Sequence, residues 1–416
     1  MRYFLSALLI IPLLAFGQSP PDQPTSGPGG SVYTHSSVIF SDFSTFLNPN
    51  GYWLFEPDSP KPDSANLIIF NHGYGVWNPG PYGQWIEHLV KQGNVVIFPK
   101  YQASDAAAPS GFTPAMVNGI NDGITELQTG AGRVRPRTEN LAVIGHSYGG
   151  VLTSNIAMEY ASYGIPKPKA IMLCEPGTGG FGGGRLASYA SMDTSYKMLI
   201  IVGDGDVVVG NTFGREIMDS TYIPTAHKNY ITQFKDNYGA PNVQATHNEP
   251  LAKNNTYDGG TLSTVITSAY AVSKEDAVDF YCYWKLADAL ISCAFDGSDC
   301  NYAFGDTPEQ RYMGKWSDSV PVIELIVEPS SVGLAELTES QILLYPNPVE
   351  TKLYFETPDQ LKKIHGTYQV YNATGDLMMQ ERFKRPYINM KSLKPGVYTI
   401  KIQSDRKIYH QKFVKI

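Results

Sequence analysis

Cysteines, metal-binding spacings and membrane-length apolar runs are all scarce in this chain of 416 residues. The four cysteines form no Cys-x-x-Cys pair and no paired histidine spacing is present, so metal binding is their weakest interpretation. No glycine pattern typical of phosphate or dinucleotide binding opens a predicted helix, which disfavours cofactor chemistry. After the amino terminus, no segment approaches the roughly 20 apolar residues that a membrane helix needs. We therefore expect no metal, no cofactor, no membrane span and no nucleic-acid partner.

The amino terminus has the parts of a cleaved secretory signal. Arg2 precedes an apolar stretch at 5–14, and the small residue Gly17 ends the segment. The stretch is too short to span a bilayer and is interrupted by Pro12. We therefore predict a signal peptide over residues 1–17, followed by an N-terminal linker over residues 18–30.

The cysteines that remain after cleavage are even in number, which suits an oxidising compartment. Cys293 and Cys300 enclose the short loop 294–299 and are the expected disulfide. Cys174 ends an apolar strand and Cys282 lies in a helical segment. Both could equally be buried free thiols, so their pairing stays open.

The most informative motif is the turn at 145–150, with the sequence Gly-His-Ser-Tyr-Gly-Gly. It follows the apolar run 141–144 and precedes a helical stretch at 151–163, so it joins a strand to a helix. In that context a Gly-x-Ser-x-Gly turn strains the serine backbone and exposes its hydroxyl above the sheet. The pattern alone could arise by chance in a chain with 39 glycines, but the strand and helix around it favour a function. Ser147 is therefore the predicted nucleophile.

Strands and helices alternate between residues 31 and 327, the predicted catalytic domain. Several strands are hydrophobic throughout, as strands buried on both faces of a sheet should be. The alternation predicts an α/β fold with a mostly parallel sheet covered by helices on both sides. The predicted strands are 52–55, 67–70, 95–98, 141–144, 170–173, 198–202 and 229–234, and the predicted helices are 82–92, 114–127, 151–163 and 274–292.

A serine nucleophile needs an imidazole to remove its proton and a carboxylate to orient that imidazole. In a parallel sheet these groups follow the carboxyl ends of strands. The loop after strand 198–202 offers two carboxylates, Asp204 and Asp206. Two histidines follow in the domain: His227 lies before the last strand, at the wrong end of the sheet, whereas His247 lies after it. We therefore favour His247 as the base and keep His227 as the alternative.

Four motifs together resemble those of the α/β-hydrolases over about residues 50–325: His72-Gly73, the turn at 145–150, Gly203-x-x-Asp206, and Thr-His-Asn-Glu-Pro at 246–250. The resemblance implies a triad of Ser147, Asp206 and His247 and favours Asp206 over Asp204 as the acid. It also implies that His146 points away from the reacting centre. The nearest branches are the dienelactone-hydrolase, chlorophyllase and cutinase-like esterases, which lack a large lid and act on carboxylic esters.

The same resemblance implies an oxyanion hole made of backbone N–H groups. Tyr148, directly after the nucleophile, would supply one, and Tyr74 the other, with Gly73 as the alternative donor. His72 is expected to hold that loop. Trp77 lies on the same loop and could bind a substrate group or simply pack the loop.

The end of the chain differs from the rest in charge and pattern. Residues 338–416 hold 13 Lys and Arg against 7 Asp and Glu, a net of +6, so the remainder carries about −13. Residues 328–342 are rich in Pro, Ser and Gly signals and are predicted to be a linker. The short strand-like runs of residues 343–416 predict a small all-β sandwich.

This tail resembles the C-terminal sorting domain of cargo of the type IX secretion system, through the motifs at 344–348, 371–375, 393–398 and 412–415. The resemblance implies the type IX machinery as a partner and passage through the periplasm of a Gram-negative bacterium. It further implies a secreted or cell-surface protein whose tail is usually removed. The alternative is a carbohydrate-binding or adhesive β-module.

These expectations combine into a secreted serine hydrolase that cleaves carboxylic esters through an acyl-enzyme intermediate. Export favours an ester met outside the cell, such as a lipid, an acetylated polysaccharide or a polymer. The alternatives are a peptidase of the same fold and a catalytically silent secreted binding protein.

Overall fold

The computed structural model describes residues 17–328, 343–356, 366–372, 376–382, 387–404 and 407–416. The chain divides into two compact units, Met1–Ser331 and Val332–Ile416. All of the predicted signal segment except Gly17, and all of the predicted linker 328–342 except Glu328, lie outside the described residues.

A nine-stranded sheet forms the centre of the first unit, in the order β1-β2-β4-β3-β5-β6-β7-β8-β9. Strands β3 to β8 are parallel, whereas β1, β2 and β9 pair antiparallel with their neighbours. The strands are β1 Ser37–Asp42, β2 Tyr52–Asp58, β3 Ser64–Asn71, β4 Asn94–Pro99, β5 Arg135–His146, β6 Ala170–Cys174, β7 Lys197–Gly203, β8 Lys228–Gln233 and β9 Ile326–Glu328. The predicted α/β sheet is therefore confirmed.

Helices cover both faces of this sheet. They are α1 Gly83–Lys91, α2 Phe112–Thr129, α3 Tyr148–Glu159, α4 Thr212–Ser220, α5 Thr264–Val272, α6 Trp284–Phe295, α7 Cys300–Ala303 and α8 Pro308–Arg311, with short 3-10 helices at Gly80–Tyr82, Pro109–Gly111 and Asn255–Tyr257 and a π-helix at Asp279–Tyr283. Among the described residues, no helix is long and apolar enough to cross a membrane.

Continuously apolar strands explain why both faces are buried. Along β3, Ile68 and Phe70 pack into the core that α1 and α6 cover, whereas Leu67 and Ile69 pack into the core under α2 and α3. Alternate side chains of a strand point to opposite faces, so a run without polar residues serves two cores at once. Each such side chain contributes roughly 1.5–3 kcal/mol by burial.

Helix α2 begins earlier than its sequence predicts. Thr113, the residue before the predicted helix 114–127, lies inside α2, because the 3-10 turn at Pro109–Gly111 continues directly into the helix. The Thr113 hydroxyl instead accepts a hydrogen bond from Asn155 in α3, at 3.2 Å. Its role is thus to join two helices rather than to start one.

The segment predicted as an N-terminal linker, residues 18–30, lies against the first unit. Ser317 donates to the side-chain oxygen of Gln18 at 2.8 Å. Further along, the Gly29 N–H donates to the carboxylate of Asp288 at 2.8 Å. The segment is therefore tied down at both ends, which its Pro- and Gly-rich composition did not indicate.

The expected disulfide between Cys293 and Cys300 is present and joins the end of α6 to the start of α7. Cys174 and Cys282 are buried and free. Of the two possibilities left open for the second pair, the structure has the free thiols.

The second unit consists of two antiparallel sheets around one apolar core. One sheet has the order β10-β11-β14 and the other the order β13-β12-β15-β16. Their core includes Leu353, Val370, Ile388, Ile400 and Phe413. The strands are β10 Leu343–Tyr345, β11 Lys352–Glu356, β12 Gly366–Tyr371, β13 Leu377–Arg382, β14 Tyr387–Asn389, β15 Gly396–Ser404 and β16 Lys407–Lys415. The predicted β-sandwich is therefore confirmed.

Candidate active site

Ser147 occupies the tight turn between β5 and α3 with a left-handed backbone, at φ 56°. The turn closes only because its neighbours are small. A Cβ on Gly145 would lie 2.2 Å from the carbonyl oxygen of Gly149, and a Cβ on Gly149 would lie 2.2 Å from that of Asn71. A Cβ on Gly150 would meet Pro176 at 2.7 Å. The glycines of the motif thus permit the crossing of strand and helix that holds the serine at the end of the sheet.

Three side chains from separate loops meet at this turn. His247 Nε2 lies 2.9 Å from Ser147 Oγ, and His247 Nδ1 lies 2.8 Å from Asp206 Oδ2. All three are nearly buried, at 7% exposure for the serine, 8% for the histidine and 9% for the aspartate. The arrangement can carry a proton from the hydroxyl to the imidazole while the carboxylate fixes the ring.

The loops of Asp206 and His247 are joined to each other. The Gly205 N–H donates to the carbonyl of Ala245 at 3.0 Å. Burial raises the pKa of the Asp206 carboxyl, but hydrogen bonds from His247 and from the N–H groups of Val208 and Val209 outweigh it and hold that pKa below its usual value. Asp206 is therefore an anion at neutral pH.

The competing acid and base lie elsewhere. Asp204 accepts a hydrogen bond from the Lys235 N–H at 3.3 Å, and burial raises its pKa to about 6. His227 lies just before β8, and its carbonyl accepts from the N–H of Met198 at the amino end of β7. His227 thus lies at the amino ends of the parallel strands, whereas Ser147 lies at their carboxyl ends, as its place in the sequence indicated.

The two expected oxyanion donors flank the serine. Tyr148 is the first residue of α3, where a backbone N–H has no acceptor within the helix. Gly73 packs directly on the turn that carries Ser147, because a Cβ on Gly73 would lie 3.3 Å from the Ser147 Cβ. The Gly73 N–H donates to the hydroxyl of Tyr82, whereas the Tyr74 N–H has no acceptor among the described residues. Of the two candidates on that loop, Tyr74 has the available donor.

Several buried polar residues around this loop carried no recognisable sequence signal. The Tyr82 hydroxyl lies 2.9 Å from His146 Nδ1, and His146 Nε2 lies 2.8 Å from the carbonyl oxygen of His247. The Gln102 side chain accepts from the Gly75 N–H at 2.7 Å. These partners are 27 to 101 residues apart in the chain, so no local spacing could reveal them.

His72 lies between two carbonyl groups, as a residue that holds its loop should. Its Nδ1 lies 2.7 Å from the oxygen of Gly73 and its Nε2 lies 2.6 Å from that of Lys100. The ring stacks on Tyr101, with centroids 3.8 Å apart. Burial lowers the pKa of His72 to about 4, whereas the two carbonyl oxygens, which can only accept hydrogen bonds, favour the protonated ring and raise that pKa in part.

Exposed apolar side chains lie on the loops that carry the site. Trp77 is only 3% exposed, which favours the packing alternative for this residue. Phe181 is 46% exposed and stacks on Tyr74, with centroids 3.8 Å apart. Directly after the triad aspartate, Val207 is 94% exposed and Val208 is 56% exposed. An apolar substrate group therefore has more surface on these loops than on Trp77.

Glu175 is a buried acid directly after β6, with φ 41°. Tyr283 donates to one of its carboxyl oxygens, while the other has no hydrogen-bond partner among the described residues. Burial raises the pKa of Glu175 well above 4.5, and Asp206 and Glu249 raise it further. In the folded protein this carboxyl therefore keeps its proton to a higher pH than a free glutamic acid does.

Replacement of Glu175 by glutamine is expected to stabilise the protein, increasingly so as pH rises. Above pH 4.5 the unfolded wild type loses this proton while the folded protein keeps it, so wild-type stability falls by about 1.4 kcal/mol per pH unit until the folded pKa is reached. Glutamine does not titrate. Urea unfolding of both proteins at pH 5, 6.5 and 8 measures the difference, and a difference that stays constant with pH would contradict the assignment.

No group of three or more His, Cys, Asp or Glu side chains in the described part of the chain could hold a metal ion.

Comparison with protein families gives two matches. Residues 35–229 match the chlorophyllase family, and residues 343–416 match the secretion system C-terminal sorting domain. No curated protein matches the chain significantly.

The sheet order, the strand–turn–helix junction at Ser147 and the family match together show that the first unit has the α/β-hydrolase fold. Within that class the match is to the chlorophyllases, which indicates a hydrolase acting on esters. It includes Ser147 and Asp206 but ends before His247. The second unit is a sorting domain, which indicates secretion or a cell-surface location by the type IX system.

Proposed function

We propose that this protein is a secreted serine esterase that cleaves carboxylic esters through an acyl-enzyme intermediate. One observation carries the proposal: the hydrogen bonds from Ser147 Oγ to His247 Nε2 and from His247 Nδ1 to Asp206 form an unbroken chain, at 2.9 and 2.8 Å. A binding protein that merely retained the fold would have no need of this geometry.

In the proposed reaction the Ser147 oxygen attacks the ester carbonyl while His247 Nε2 accepts the hydroxyl proton. The Asp206 carboxylate stabilises the resulting imidazolium. The tetrahedral intermediate then collapses, and the imidazolium returns its proton to the departing alcohol. Water attacks the acyl-enzyme with the same histidine as base, which releases the carboxylic acid and restores the serine.

The N–H groups of Tyr74 and Tyr148 are proposed to bind the oxygen that becomes negative in the intermediate. They are backbone donors on two different loops, so they are fixed before the substrate arrives. A single donor of this kind typically contributes 10² to 10³ in rate.

The exposed apolar loops favour an ester with an apolar acyl or alcohol group. Replacing Val207 and Val208 together by asparagine is expected to raise KM about tenfold for an octanoate ester and less than twofold for an acetate ester. A long chain would cover these two side chains only in part, so the double replacement would lose about 1.4 kcal/mol in all, less than the 1.5–3 kcal/mol for burying one valine fully. Kinetics with p-nitrophenyl acetate and octanoate measure the effect, and equal changes for both esters would contradict it.

Short-chain and long-chain p-nitrophenyl esters, together with p-nitroanilide peptides, test the function itself. Ester turnover that depends on Ser147 supports the proposal. Turnover of the peptides alone would favour a peptidase of the same fold, and no turnover of either would favour a silent binding protein.

The same proposal includes the route of export. It comprises the signal peptide, the passage through the periplasm of a Gram-negative bacterium and the contact with the type IX machinery.

A further inference from the structure

Three consecutive hydrogen bonds connect the oxyanion loop to the backbone of the proposed base. The Gly73 N–H lies 2.8 Å from the Tyr82 hydroxyl, which lies 2.9 Å from His146 Nδ1. His146 Nε2 lies 2.8 Å from the carbonyl oxygen of His247. We call these four residues the His146 bridge.

Each hydrogen bond of the bridge has only one possible direction. The carbonyl oxygen of His247 can only accept, so His146 Nε2 must carry a hydrogen. Burial and the neighbouring His247 together lower the pKa of His146 to about 3, so the ring is neutral and its Nδ1 is an acceptor. The Tyr82 hydroxyl therefore donates to Nδ1, and its oxygen accepts from the Gly73 N–H.

The bridge is buried and closely packed. Tyr82 is fully buried, and His146 is 2% exposed. The Tyr82 ring packs against Phe70, with centroids 5.2 Å apart. The rings of His146 and His247 lie 4.9 Å apart. A bridge enclosed in this way holds its ends at fixed positions, because any movement would leave a buried polar group unpaired.

The position of His146 in the sequence gives the bridge its significance. It directly precedes Ser147, so the residue next to the nucleophile holds the main chain of His247 through its own side chain. Through Tyr82, the same imidazole holds Gly73, whose successor Tyr74 has the available oxyanion donor. The nucleophile, the base and the oxyanion donor come from three loops. His146 is connected to all three: it is next to Ser147 in the chain, its ring contacts His247 directly, and it contacts Gly73 through Tyr82.

We propose that His146 and Tyr82 are positioning residues, which set the base and the oxyanion donor relative to the nucleophile. This inference rests on the proposed function of Ser147, His247 and Tyr74. It assigns a role to a histidine that the sequence resemblance placed away from the reacting centre. Misplacement of reacting groups by about 1 Å can cost about 10² in rate, so loss of the bridge should lower kcat without a matching change in KM.

The first experiment tests the hydrogen bonds directly, without a substrate. In ¹⁵N-histidine NMR of the full chain, His146 is expected as the neutral Nε2–H form from pH 5 to 8, with an exchange-protected N–H. Tyr82→Phe should shift the Nδ1 resonance, because that nitrogen loses its donor. A His146 ring in the Nδ1–H form, or one that titrates between pH 5 and 8, would overturn the bridge.

The second experiment measures how fast Ser147 reacts with a fluorophosphonate, followed by mass spectrometry, and measures kcat per titrated site. Tyr82→Phe should lower both about tenfold, and His146→Leu about a hundredfold, with KM within twofold of wild type. His146→Gln places an amide N–H near the position of Nε2. On a logarithmic scale, it should therefore recover at least half of the loss in kcat and labelling rate that His146→Leu causes. Counting only labelled sites removes the effect of misfolded protein from the comparison.

Two matched variants control for the loss of buried polar contacts. Tyr196→Phe removes a buried hydroxyl that donates to Ala157 at 2.8 Å outside the site, and His88→Gln alters a buried histidine that contacts Asp288. Both are expected to keep kcat and the labelling rate within twofold. If Tyr82→Phe and His146→Leu behave like these controls while wild-type Ser147 is labelled, the positioning role is wrong. If wild-type Ser147 is not labelled at all, the proposed function fails, and the positioning role with it.

Discussion

The Ser147→Ala variant is expected to lose about 10⁶ in kcat towards any ester that the wild type hydrolyses. Alanine lacks the oxygen that lies 2.9 Å from His247 Nε2, so no acyl-enzyme can form. It keeps the Cβ and therefore the same left-handed backbone strain at φ 56°, so the fold should not change. Residual hydrolysis would come from the oxyanion donors and from substrate binding alone.

A matched control is available in α3, the helix that follows Ser147. Ser154 is buried, and its hydroxyl donates to the carbonyl of Gly150 at 2.9 Å. Ser154→Ala should keep kcat within twofold, whereas His247→Ala should approach the loss seen for Ser147→Ala. Steady-state rates with p-nitrophenyl butyrate and thermal unfolding of each variant separate catalysis from stability. A Ser147→Ala enzyme with more than a hundredth of wild-type activity would disprove this nucleophile.

The Asp206→Asn variant should lose about 10⁴ in kcat at neutral pH. An amide has nearly the shape of a carboxylate, so the contact with His247 Nδ1 at 2.8 Å can persist. The amide can, however, donate to Nδ1, which favours the ring form that leaves the wrong nitrogen facing Ser147. It also carries no charge to stabilise the imidazolium. The loss should therefore appear in kcat rather than in KM.

Asp204→Asn is the natural comparison, since Asp204 lies two residues away in the same loop. Its carboxylate faces the Lys235 N–H rather than the histidine, so its loss should change kcat less than twofold. The ratio of the two effects, measured with one ester at pH 7.5, identifies the acid. Equal losses from both variants would contradict the assignment of Asp206.

The parts that sequence could predict are those encoded by neighbouring residues. Apolar runs such as 67–70 are typical of strands buried on both faces, and they lie in strands as expected. The Gly-x-Ser-x-Gly pattern predicted a strand–turn–helix junction at Ser147, which is present. The resemblance of Gly203-x-x-Asp206 to a loop of the α/β-hydrolases favoured Asp206 over Asp204, and Asp206 is the carboxylate that lies beside His247. In each case the information lay within ten residues.

The parts that sequence missed depend on contacts between distant residues. β1 is half-buried at the edge of the sheet, and its apolar run, 38–40, is only three residues long. Helix 274–292 was predicted as one regular element, but it begins later and contains a π-helix at Asp279–Tyr283. Tyr82 looked like the start of a helix, and nothing near it indicated that its hydroxyl meets an imidazole 64 residues away. Such pairings form only once the tertiary fold exists.

The contacts of the amino-terminal segment, residues 18–30, affect when the first unit can finish folding. Gln18 is bonded to Ser317, which lies 299 residues later in the chain. The edge strand β9 likewise pairs with β8 only after residue 326 is available. Contacts of such long sequence separation form late, because the whole intervening chain must be present and ordered before they close. During synthesis the unit therefore stays incomplete until almost its last residue has been made.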